Sequence, residues 1–509
     1  MTSSILASSM AFIDSTALNV VLPSLQQELD ASASSLFWVL NSYLLMLASL
    51  ILTGGSLGDK LGRKKVFLTG IVIFMIGSLA CGMAPDVRLL IIFRGVQGLG
   101  GALMIPGSLS LISASFNKEE RGKAIGTWSA ITTMVTIGGP VLGGALGDAG
   151  LWRFIFFINI PIGIVSVIVL WLKVRESRDE HLNKRIDYPG ALTTVPGLAL
   201  LTFGFLSIPE TGIYDVTTIL SLTGGLLLLG LFVVIEKRSK NPMLPLNLFS
   251  NKIFSGVNLL TFFLYAALTA GMLFLGLNMI QIQGYSQLQA GLTLLPFSLL
   301  MVTLARYSGT LADKYGPRWL LVAGPATAGL GFLLLAFVKD TDGPSEYWTT
   351  YFPGILVFGL GMSITVAPLT STVMGSVANH FAGTASGVNN AITRISGVFA
   401  NAILGALALL MFSSYLENEI KSLPLSPGVR HSVMAESGNL GNAQVPAGVS
   451  DSQRRIIEKT YTEGFIASYS MVMLICAALA FLGSIMSFLL VENEVSHHTD
   501  KLTAIDGVP

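Results

Sequence analysis

Runs of apolar residues alternate with short charged stretches along almost the whole chain. The apolar segments fall at 4–24, 36–54, 66–83, 88–113, 123–146, 154–173, 189–208, 217–235, 254–278, 290–306, 319–338, 350–374, 386–412 and 465–491. Most run to about 20 residues, the length at which a helix rising 1.5 Å per residue crosses a hydrocarbon layer of ~30 Å. The pattern predicts an all-α integral membrane protein with fourteen transmembrane helices, and an even number puts both termini on one side. Most interruptions are short. The exception, 413–463, is polar and rich in Ser, Gly, Asn and Pro. It reads as an outer loop that caps one face or is partly mobile.

Two of the interruptions nearly match. Gly55-Ser-Leu-Gly-Asp59-Lys-Leu-Gly62-Arg63-Lys-Lys65 and Gly309-Thr-Leu-Ala-Asp313-Lys-Tyr-Gly316-Pro-Arg318 lie half a chain apart, each between two apolar runs. A repeated loop in each half marks two related bundles, the architecture in which secondary transporters rock about a central site. The second loop falls eight spans after the first, where a pair of six-helix repeats places it six later. Two linker spans, 189–208 and 217–235, account for the difference. The expected organisation is an N-terminal six-helix bundle at 1–176, two linker helices at 177–245, a C-terminal six-helix bundle at 246–495 and a tail at 496–509.

Composition agrees with a bilayer as solvent: 52% of the residues are hydrophobic and 12% charged, against about 25% charged in soluble domains. A net charge of +1 implies no nucleic-acid partner. Cys81 and Cys476 both sit in apolar runs and read as small core residues. Nineteen basic residues fall in the short loops of one side, among them Lys60, Arg63, Lys64, Lys65, Lys237 and Arg238, against Arg88, Arg153 and Lys339 on the other. By the positive-inside rule both termini are cytoplasmic and the protein lies in the cell membrane.

Asp14 stands in the middle of the first span. An ionised carboxylate at that depth costs several kcal/mol unless it is paired, so it is either paired or protonated. That suits a proton carrier; a structural Asp bonded to Ser15, Thr16 or Asn19 is the alternative. Arg94 lies in the fourth span and cannot lose its proton, with Gln97 one turn on. Arg394 in the thirteenth span either snorkels to the surface or lines an inner cavity. In the fifth span Gly139, Gly143 and Gly147 recur every four residues, a smooth face for helix contact, and Pro140 bends the helix. No Gly-rich nucleotide loop, catalytic triad or metal-ligand cluster appears. The chain reads as no enzyme and no cofactor is expected; the driving force is an ion gradient or the cargo's own.

Five motifs in order resemble the major facilitator superfamily, and within it the fourteen-helix drug:proton antiporter branch. They are Asp14–Pro23, the loop Gly55–Lys65, Arg94-Gly-Val-Gln97-Gly98-Leu-Gly100 in the fourth span, Gly139-Pro140-Val-Leu-Gly143-Gly144 in the fifth, and Trp152–Gly163 at the start of the sixth. The resemblance implies the major facilitator fold and export of small amphipathic or lipophilic compounds, multidrug-type efflux, by alternating access in exchange for protons. It implies Arg94 as partner of Asp14, with Asn19, Gln97 and Arg394 in the cavity network. It also implies a conformational gate. Asp59, with Gly55, Gly62 and Arg63, meets the start of the thirteenth helix near Thr384, whose positive end favours an anion. Asp313, with Gly309, Gly316 and Arg318, meets the start of the fifth helix near Lys123. Gly139, Pro140, Gly143 and Gly144 would seal the cavity against leak. No acid falls in 290–306, where members that export dications can carry one. The expected partners are a small-molecule substrate, protons and the lipid bilayer, with a periplasmic adaptor either present or not. A nutrient symporter on the same scaffold and a non-transporting receptor or scaffold are the alternatives.

Overall fold

The computed structural model of the chain describes residues 1–492 apart from 117, 175, 178–186, 240, 241, 243, 378–381 and 424. Among the described residues every regular element is a helix. In chain order these are α1 (Thr2–Glu28), α2 (Ala33–Leu61), α3 (Arg63–Gly82), α4 (Val87–Ser115), α5 (Lys118–Asp148), α6 (Phe154–Phe157), α7 (Asn159–Lys173), α8 (Tyr188–Thr211) and α9 (Val216–Arg238). After them come α10 (Lys252–Leu277), α11 (Gln287–Thr293), α12 (Leu295–Tyr315), α13 (Arg318–Ala336), α14 (Tyr351–Gly375), α15 (Ala382–Ser422), α16 (Pro427–Ala435) and α17 (Asp451–Leu490). Helices fall on all fourteen expected spans, and thirteen segments among the described residues are long and apolar enough to cross a bilayer.

The polar interruptions do the starting and stopping. Side chains of Ser32, Asp86, Asp215 and Asn251 accept from backbone N–H groups at the beginnings of α2, α4, α9 and α10, satisfying donors that have no intrahelical partner. Gly62 and Gly316, one in each repeated loop, take φ of +112° and +84°, a region costly for any side chain. Gly55 and Gly309, expected to allow close approach, have ordinary room for a Cβ; the close contact belongs to Gly54, whose Cβ would lie 2.1 Å from the Ala102 carbonyl oxygen.

Helices α1–α7 pack among themselves, chiefly α2 and α3 on α4 and α1 on α5, and α10–α17 do likewise, with α13 on α14 and α17. These two bundles meet through α2 on α15 and α5 on α11. The α8–α9 pair packs on itself and leans, through α8, on α2 and α15.

The segment 413–463 differs from its expectation as a polar loop. It is mostly helical: α15 runs on to Ser422, α16 follows, and α17 begins at Asp451. Charged pairs one turn apart support the extensions, Lys421–Glu417, Arg454–Glu458 and Lys459–Glu463, as does a Ser450/Gln453 capping box. Its tip dips inward. Leu440 is buried, with φ 51° and ψ −130°, and shares a narrow crevice with Leu22, Leu36 and Phe37 of one bundle and Leu273 and Leu277 of the other.

Candidate functional site

The bundles enclose a cavity of about 1850 Å³. At one end its lining reaches Lys60, Arg63, Lys237, Asn247 and Thr384, on the face that carries the basic loops; at the other it ends on Met279, Ala290 and Leu294. Beyond that floor the two bundles are in contact. The Asp148 carboxylate, at the end of α5, accepts from Ser286 Oγ at 2.7 Å and from the backbone N–H groups of Gln287 and Leu288 at 2.8 and 3.0 Å. Gln287 donates to Ser24, and Gln281 donates to Gln26 at 3.0 Å. The cavity is therefore open on the basic face and closed on the opposite one.

Gly143 and Gly144 make that closure possible. A Cβ on Gly144 would sit 2.4 Å from the Gln287 carbonyl oxygen, and one on Gly143 2.5 Å from that of Ala17. Across the same seam Gly291 backs onto the Pro140 carbonyl, while a Cβ on Gly139 would strike Thr16. The small-residue face of α5 is thus shared between α1 of its own bundle and α11 of the other.

Behind the cavity wall lies a dry polar cluster. Asp14, Arg94 and Gln97 are 0%, 1% and 0% exposed. Arg94 Nη1 donates to Asp14 Oδ2 in a salt bridge and to Gln97 Oε1 at 2.7 Å. Gln97 Nε2 donates to Asp14 Oδ1 at 2.8 Å, so both carboxylate oxygens are engaged. Arg94 Nε donates to the Val39 carbonyl at 3.2 Å, and its guanidinium lies 4.3 Å from the centroid of the Tyr43 ring. Arg94 reaches the cavity and Asp14 does not. Such a pair in low dielectric holds only while every member keeps its partners.

The remaining expected residues divide. Asn19, Gly55, Arg63, Pro140 and Arg394 line the cavity. Among the described residues Arg394 makes no ion pair, and its Nε is buried without a hydrogen-bond partner. Arg318 lies within its own bundle: its guanidinium donates to the Phe488 carbonyl of α17 at 2.9 Å. The side chains of Asp59, Asp313 and Lys123 lie outside the described residues. Among the described residues no group of His, Cys, Asp or Glu is placed to hold a metal.

The profile of the Major Facilitator Superfamily matches residues 4–401. The chain belongs to the major facilitator superfamily. It is 34% identical to the multidrug resistance protein Stp of Mycobacterium tuberculosis over 428 residues, covering 84% of this chain and 78% of that one. A tetracenomycin C resistance and export protein of Streptomyces glaucescens is 28% identical over 78% of this chain and 73% of its own. A puromycin resistance protein of Streptomyces alboniger is 31% identical over 80% and 81%. Among solved structures, a bacterial homolog of the human lysosomal transporter Spinster, inward-facing, superimposes with a TM-score of 0.67 over 96% of both chains at 18% identity. The protein is thus a multi-pass membrane transporter of this superfamily.

Several residues of this site have no signature in the sequence. Tyr43 and the Val39 carbonyl are ordinary members of an apolar run, and only the α2–α4 packing makes them partners of Arg94. Asp148 lies just outside an apolar run, and Leu440 stands in the middle of the polar segment 413–463. Glu236, 2% exposed, is one residue past the eighth run; it accepts from the Leu244 N–H at 2.8 Å and is a second buried carboxylate, at the basic end of α9.

Proposed function

We propose that this protein is a proton-coupled antiporter that exports small amphipathic or lipophilic compounds across the cell membrane by alternating access, with both termini in the cytoplasm. The observation that carries the reading is the Asp14–Arg94–Gln97 cluster beside a large cavity open on one face only. Among the described residues Asp14 is the one carboxylate buried in mid-span, and its pairing with Arg94 depends on its charge. Protonation removes the attraction that joins α1 to α4 and frees Arg94 toward the cavity. The resistance and export functions named for the relatives support the direction, and the closed seam at Asp148 supports a second state in which that face opens. The loops Gly55–Lys65 and Gly309–Arg318 act in this reading as the gate that closes the basic face, through Asp59 and Asp313. The linker helices α8 and α9 stand outside the two moving bundles.

The test is transport in reconstituted vesicles with an imposed pH gradient. The wild type should move cargo against the proton flow, and Asp14→Asn should lose gradient-driven movement while keeping binding or downhill exchange, because the amide retains the size and most hydrogen bonds. Undiminished coupled export by Asp14→Asn would move the coupling site elsewhere. Cargo moving with the proton flow would favour the symporter.

A further inference from the structure

One stripe of α15 sets two polar residues against the cavity, each with a buried polar atom that has no partner among the described residues. Arg394, Gly397 and Asn401 recur at helical spacing and all line it. Arg394 Nε is buried with no acceptor, and Asn401, 1% exposed, has a buried Oδ1 with no donor. Buried polar atoms in folded proteins are rarely left so, and one without a partner calls for an explanation. Seven residues of helix separate the two, a rise of about 10 Å.

The charges around them are one-sided. Among the described lining residues the cations are Lys60, Arg63, Arg94, Lys237 and Arg394, and the carboxylates are Asp187 and Glu236. Both carboxylates lie near the mouth, and both have partners of their own. Asp14 is off the wall, with both oxygens taken by Arg94 and Gln97. Among the described residues the deep wall therefore has one charge without an ionic partner, that of Arg394, and no carboxylate facing the space. The same bundle also lines the cavity with Met272, Met279, Phe297, Met301 and Met362, a flexible, polarizable surface that accepts varied shapes.

The geometry points to an amphipathic anion as the cargo class: an apolar body against the methionine surface and an anionic oxygen on the Arg394 guanidinium. A permanent cation would meet Arg394 with no carboxylate to offset it. This rests on the transport reading and deepens it. Outward movement of a negative cargo and inward movement of a proton both carry charge in the direction that an inside-negative potential favours.

The experiment compares three probes that share one ring and differ in the head group: pyrene bearing a butyrate, a butanol or a butylammonium chain. Binding to the purified full-length protein in neutral detergent is read by pyrene anisotropy. The butyrate should bind at least about ten-fold tighter than the ammonium, with the alcohol between. Arg394→Gln should abolish that order and Arg394→Lys should keep most of it. An ammonium probe that binds as tightly as the butyrate to the wild type overturns the proposal, as does a butyrate preference that survives Arg394→Gln; either result leaves the transport reading standing. Binding of none of the three overturns both.

Discussion

Asp14 and Arg94 are each other's reason for being tolerated in the membrane interior, but they are not equivalent. Both are buried, but Arg94 borders the cavity and Asp14 does not. Arg94→Ala therefore strands a carboxylate that has only Gln97 left, and should destabilise the folded protein by about 3 kcal/mol, at the lower end for a broken buried pair. Asp14→Asn leaves a cation that can turn to the cavity and should cost clearly less. Thermal unfolding in detergent, run on both variants beside the wild type, gives the order; equal losses would mean that Arg94 gains nothing from bordering the cavity. Sequence reading located this pair because charged residues are rare enough inside apolar runs to stand out singly. It did not locate Tyr43, Val39 or Asn401, since an aromatic, a backbone carbonyl or an amide becomes a partner only through the helix that packs against it.

Element boundaries were legible to within a few residues wherever hydrophobicity changed sharply, and less so where it did not. The tenth span is two helices, α11 and α12, parted near Leu294, and the outer segment 413–463 is helical because local pairs and caps stabilise it without any apolar run. The gate loops show the same limit. Their glycines were visible as a repeat, but only Gly62 and Gly316 adopt the left-handed backbone, and Gly54 makes the close contact. At this scale the closed face rests on α5 against α11. Asp148→Ala removes three hydrogen bonds across that seam, and Gly144→Leu forces the backbones apart. Spin labels at Arg88→Cys and Asp342→Cys, one on each bundle at the closed face, should report a population at longer separation in both variants. An unchanged distance distribution would show that the seam is held by something other than this contact. The shift should be larger for Gly144→Leu, because hydrogen bonds to a charged acceptor contribute about 1.5–3 kcal/mol while backbone overlap excludes the closed state outright.

For the whole molecule, orientation follows from loop charge alone and has a direct check. In a background with Cys81 and Cys476 replaced, Gly428→Cys should react with an impermeant thiol reagent added to intact cells, and Lys237→Cys should react only after permeabilisation. The reverse pattern would invert the topology and the direction of transport with it. The packing has one further mechanical consequence. Helix α15 is 41 residues long, a rod of about 60 Å, with Thr384 at the cavity mouth, Arg394 and Asn401 along the cargo wall and the cap holding Leu440 just past its far end. Leu440 sits in a backbone conformation favoured by glycine, at a cost of about 1–3 kcal/mol, wedged where the bundles join. A rod pivoting near its middle moves its ends in opposite senses: the tilt that carries Thr384 toward the first bundle carries the cap away from it. The wedge would then be withdrawn by the same stroke that shuts the mouth, and the two doors of the carrier would hang on one lever, with the strained leucine as the latch that the lever lifts.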